Sequence, residues 1–147
     1  MDSMIPRLAL PLLCVAGPAW AWQAGVEGAI CTLDHSSAEA EVRLTHDPAG
    51  PIYSIAIRRA APWPDAPVFA IRFVGPRGLT ISTMEHVLSD GGRTLTVTDS
   101  GFGNVLNGLE FNTSALAIAG DTVVALDLTG AAPEVAAFRD CFPAPAV

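Results

Sequence analysis

The sequence predicts an all-β protein: an antiparallel β-sandwich or barrel with one or two short helices. Three observations carry this. Apolar and polar residues alternate with period two over much of the chain, as they do in strands that lay one face on a core. Turn chemistry cuts that pattern at short intervals, with 13 Gly and 12 Pro among 147 residues. The composition, 50% hydrophobic and 16% charged, is apolar enough to fill one core and too lightly charged for a disordered chain. The length is that of a single domain.

Each element has its own justification. In residues 39–45, Glu39, Glu41, Arg43 and Thr45 point one way, and Ala40, Val42 and Leu44 the other. The prolines of residues 47–51 end that strand, because proline cannot donate to a ladder. Tyr53, Ile55 and Ile57 then line one face of a second strand. Residues 60–67 hold three prolines around Trp63 and form a loop, after which Phe69, Ile71 and Phe73 alternate with Ala70 and Arg72. The turn Gly75-Pro76-Arg77-Gly78 leads to Leu79 and Ile81 on a short strand. Asp90-Gly91-Gly92 has hairpin chemistry, since glycine tolerates positive φ, and joins residues 84–89 to Leu95 and Val97. Phe102, Val105, Leu106 and Leu109 fall at i, i+3, i+4 and i+7, one face of a short helix. A last hairpin turns at Gly120-Asp121, between residues 116–119 and 123–128. Pro133 suits a first helical position, and Val135, Ala136 and Phe138 follow it.

The N-terminus reads as an address. Residues 1–21 have a basic residue, Arg7, then an apolar run, then Ala19-Trp20-Ala21, the small-x-small pattern of a signal-peptidase site. Cleavage before Trp22 leaves a single β domain over residues 22–142 and a Pro/Ala-rich tail over 143–147. The apolar run is about half of the roughly 20 residues that span a bilayer, and Leu13 before Cys14 is a poor lipobox. After processing, two of the three cysteines remain, Cys31 and Cys141. In an oxidising compartment they form one structural disulfide closing a loop of about 110 residues. Their spacing suits neither a metal site nor a redox pair.

The eight basic residues are all Arg, against 15 acidic ones, for a net charge of −7. Loss of Arg7 and Asp2 together leaves the balance unchanged. Such a chain lacks the basic surplus of a nucleic-acid binder and is disposed toward basic partners. The abundance of Ala and the absence of Lys suggest a GC-rich bacterial source, and with export, the periplasm or cell surface.

Chemical motifs are sparse, and neither a metal nor a cofactor is expected. His35, His46 and His86 are read as surface histidines, although Asp34-His35 and His46-Asp47 stand at the ends of a strand pair that could bring them together. Ser100-Gly101 precedes the first helix without the glycine of a nucleophile elbow, since Thr98 occupies that place. Gly101-Phe102-Gly103 is too short for a phosphate cradle, and Asn112-Thr113-Ser114 is a glycosylation acceptor only on a eukaryotic route. A binding surface is better supported: Trp63 between prolines, with Asp65 beside it and Arg58 and Arg59 near the loop. The competing reading folds Trp63 back over the sheet edge.

The order of Gly78-Leu79-Thr80-Ile81, the segment from Gly101-Phe102 to Leu109, Leu126-Asp127-Leu128-Thr129-Gly130 and Ala136-Ala137-Phe138-Arg139-Asp140-Cys141 resembles small exported alphaproteobacterial proteins of the invasion-associated locus B family. The resemblance covers about residues 78–141. It implies a disulfide-containing periplasmic or surface-associated β-sandwich and offers no catalytic residues to carry over. The chain departs from it in having only two mature cysteines and in matching poorly over residues 22–77. The resulting expectation is a binding or envelope-accessory module without catalysis, with an envelope or periplasmic protein as its partner. The alternatives are a periplasmic inhibitor of a basic hydrolase such as lysozyme, working through one protruding loop, and a small hydrolase.

Overall fold

The computed structural model describes residues 22–142; the expected signal peptide, Cys14 and the tail 143–147 lie outside them. Among the described residues ten strands form two sheets, and the fold is a sandwich rather than a closed barrel. The first sheet has six strands in the order β1 (Gln23–Glu27), β2 (Ile30–Ser36), β3 (Glu41–Asp47), β4 (Ile52–Arg58), β8 (Thr94–Asp99) and β7 (Val87–Ser89). The second has four, β10 (Thr122–Asp127), β9 (Ser114–Ala119), β5 (Phe69–Val74) and β6 (Leu79–Thr83). Every pairing is antiparallel. Helix α1 (Gly103–Phe111) carries the chain from β8 to β9, and α2 (Ala131–Arg139) follows β10.

The alternating residues meet between the sheets. Leu33, Val42, Leu44, Ile55, Ile57 and Leu95 face inward from one sheet, and Phe69, Ile71, Phe73, Val124 and Leu126 from the other. Across the β5–β9 ladder, Phe69, Ile71 and Phe73 stand opposite Ala119, Ala117 and Ala115. Large beside small lets the two rows interlock at the density a core needs. Helix α1 buries Val105, Leu106 and Leu109, the face read from the sequence. Helix α2 packs on α1 and on β1 and β2, and directly after it Cys141 bonds Cys31, with Cα atoms 6.1 Å apart. The disulfide therefore ties the second strand to the end of the last helix.

Three expectations change. Residues 84–86 are not strand: they cross from β6 in one sheet to β7 in the other, leaving β7 three residues long. Helix α2 begins at Ala131, two residues before Pro133, which sits inside the first turn, where its missing N–H costs nothing. The sequence reading gave bounds to no strand before residue 39, yet β1 and β2 form a hairpin there. In β2 the alternation of Cys31, Thr32, Leu33 and Asp34 is only four residues long, with Ile30 before it and His35 after it out of phase as residue types.

Candidate functional site

The surface expected around Trp63 is not an aromatic platform. Trp63 is 3% exposed. Its indole N–H donates to the Ile57 carbonyl at 3.0 Å, and its ring meets Phe69 edge-on with centroids 6.1 Å apart. The three prolines shape the connection so that the indole folds over the sheet, where burying a large ring outweighs displaying it. The Arg59 guanidinium lies 5.1 Å from the ring centroid and donates to the Pro62 carbonyl at 3.0 Å. Arg58 pairs with Asp90 at 3.3 Å, and Asp65 stays exposed. Arg58, Arg59 and Arg93 share a shallow depression of about 340 Å³ with Glu39 and Glu41, so the carboxylates offset much of its positive charge. The ten-residue connection between β4 and β5 thus turns its Trp inward.

The histidines are not surface groups beside solvated carboxylates. His35 is buried and stacks on Trp22, centroids 4.4 Å apart and planes 6° from parallel. His46 stacks on Tyr53 at 4.0 Å, and Tyr53 on Phe102 at 5.5 Å. The ladder pairs His35 with Val42 and His46 with Cys31, so the two rings stand at opposite ends of the strand pair and do not converge. His86 places Nε2 3.0 Å from the Ala66 carbonyl and its ring against Phe69. That nitrogen is committed to backbone, while the Ser100 hydroxyl turns to its neighbour Asp99 at 3.4 Å. No serine–histidine pair forms here. Among the described residues, no three of His, Cys, Asp and Glu group closely enough to hold a metal ion. The Asn112 side chain is buried and bonded: Oδ1 accepts the Arg77 N–H at 3.0 Å, and Nδ2 donates to the carbonyls of Arg77 at 3.0 Å and Gly108 at 2.9 Å. It closes the end of α1 and pins the β5–β6 turn.

The structure instead opens a cleft of about 560 Å³ between the sheets, where β6 and β8 face each other beneath the start of α1. Ile55, Ile71, Phe69, Phe102 and Val105 form a floor that solvent barely reaches. The walls are the half-buried Ile81 and Val97, and Ser82, Thr83, Thr98 and Asn104 supply hydroxyls and an amide toward the rim. Glu85 and Asp99 are the charged groups of the lining; no basic residue is among the described residues there. The Thr83 hydroxyl accepts the Glu85 N–H at 3.0 Å, and Asp99 Oδ1 accepts the Ser100 N–H at 2.6 Å, so both acidic positions are braced. At the rim, α1 begins without a side-chain cap, which leaves the N–H groups of its first turn directed outward. Beside the mouth, Met84 in the crossover is 75% exposed and Val87 at the start of β7 is 63% exposed. The volume of the cleft lies in the range of small-molecule pockets.

Sequence reasoning missed the cleft because its lining comes from strands distant in the chain and carries no motif. No family model, curated protein or solved structure matches the chain. Its function must therefore be argued from the site.

Proposed function

We propose that the chain is an exported bacterial envelope protein that acts by binding rather than catalysis, with the inter-sheet cleft as its binding site. The cleft carries the reading: an apolar floor sealed by core side chains, walls of Ile81 and Val97, and a polar rim. The sandwich and its Cys31–Cys141 disulfide make a rigid frame suited to an oxidising compartment. The signal-like residues 1–21 and the resemblance to the invasion-associated locus B family support export. No helix among the described residues is long and apolar enough to cross a membrane.

The test is recovery of the protein from the envelope fraction of a bacterial host, followed by intact and native mass spectrometry. The expected product begins at Trp22, carries the disulfide and retains a small molecule that Val97→Trp, which fills the cleft, no longer holds. The retained molecule is released unchanged on prolonged incubation. An uncleaved, reduced chain in the cytoplasm overturns export. Steady conversion of the retained molecule overturns the non-catalytic reading, and equal retention by Val97→Trp overturns the assignment of the cleft.

A further inference from the structure

We propose that the cleft selects an organic cation, an ammonium group carried on a short apolar body. The inference rests on the binding role of the cleft proposed above and adds the chemistry of the ligand.

Charge and shape point the same way. Glu85 and Asp99 lie along the lining with no basic residue beside them, so the pair is unneutralised within the cleft. Asp99 is anchored through Oδ1 on the Ser100 N–H, which leaves Oδ2 for a ligand. The residue 85 backbone is likewise held by the Thr83 hydroxyl. Below the carboxylates, Ile81 and Val97 offer apolar walls, and the rings of Phe69 and Phe102 lie in the floor. An alkyl chain fits these walls, while a ligand strongly hydrated along its whole length would lose its water without replacement. The long-range field agrees, since a chain of net charge −7 draws cations in.

One feature of the mouth opposes a cation. The uncapped start of α1 presents the positive end of a helix dipole, worth about half a unit charge. Two full carboxylates outweigh it, so the net preference at the mouth is for positive charge.

Three probes of one chain length test this: hexyltrimethylammonium, hexanol and hexanoate, titrated into the disulfide-bonded chain and followed by ¹H–¹⁵N NMR. Expected is binding of hexyltrimethylammonium at least about tenfold tighter than hexanol, from the two carboxylates of the lining. The shifted amides belong to β6, residues 84–86, β8 and the start of α1. Glu85→Gln combined with Asp99→Asn removes the margin, its spectrum remaining native away from the cleft. About 1 M salt narrows the margin in the unmodified protein, independently of any variant. If hexanol matches the cation, or hexanoate binds tightest, the cation inference is overturned while the cleft stands as a binding site. If no probe shifts the cleft amides, both the inference and the binding reading fall.

Discussion

Gly108 offers a prediction in which two well-known effects have opposite signs. A glycine inside a helix ordinarily gains stability on becoming alanine, by about 1 kcal/mol. Here a Cβ would fall within the ring of Phe73, 2.5 Å from Cγ and in tighter conflict with Cδ2 and Cε2. Ordinary carbon–carbon contact needs about 3.5 Å or more, so either α1 or the ring must move by roughly 1 Å. Phe73 is 2% exposed and packed between α1 and the opposing sheet, so it has nowhere to go. Overpacking a dense core costs about 1–3 kcal/mol, and a rigid ring buried on all sides belongs at the upper end. After the helix gain is subtracted, Gly108→Ala is expected to destabilise by about 2 kcal/mol. Urea denaturation with the disulfide intact reads the change directly, and thermal melting should show a drop of roughly 8 °C. Phe73→Leu removes the obstructing ring atoms, so the double variant should recover about 1 kcal/mol relative to the sum of the single changes. A Gly108→Ala protein as stable as the parent, or more so, would refute the helix placement and with it the position of the cleft rim.

The remaining expectations are more direct. Replacing Cys31 and Cys141 by Ala should lower stability by about 4–5 kcal/mol, because the bridge constrains a separation of 110 residues; urea midpoints with and without reductant measure it. Trp63→Ala should cost about 3–5 kcal/mol, the range for emptying a buried aromatic site, rather than the near-zero change of an exposed interface residue; thermal melting separates the two. Asn112→Ala strips the bonds closing α1 and the β5–β6 turn, and should cost about 1–3 kcal/mol with faster hydrogen exchange at residues 75–78 and 108–112. Glu27 is held below the ordinary carboxylate range by the Arg43 guanidinium, and Asp127 by the Thr129 hydroxyl and N–H. With their folded pKa values depressed, both contribute stability above the unfolded carboxylate values of about 4. That contribution is lost as pH falls through the lower folded values, so urea midpoints should decline on acidification below about pH 4.

How far the molecule was legible in its sequence follows from where each signal lies. Strands β3, β4, β5, β9 and β10 each keep one face on the core and one outside, so their alternation is visible residue by residue. The face of α1 was equally plain, and two cysteines left one possible pair. β2 was hidden because its alternation, Cys31, Thr32, Leu33 and Asp34, is only four residues long and is interrupted by Ile30 and His35. Trp63 was ambiguous for a different reason: its loop composition suits display, and only the tertiary position of the Ile57 carbonyl decides where the indole N–H goes. The histidines were misread because stacking on Trp22 and Tyr53 depends on cross-strand neighbours that no local pattern reveals. The cleft arises from two sheets meeting unevenly beside a three-residue edge strand. Its carboxylates, Glu85 and Asp99, stand 14 positions apart in the chain with nothing in their local context to join them.

The most direct test of the binding account is a small-fragment screen by ¹H–¹⁵N NMR, run in parallel on the disulfide-bonded protein and on Val97→Trp. The account predicts that fragment-induced shifts gather on Ile81, Glu85, Val97 and Asn104 and vanish in the variant, while the rest of its spectrum stays native. Shifts that gather instead at Arg58, Arg59 and Arg93, or that persist unchanged in Val97→Trp, would contradict it.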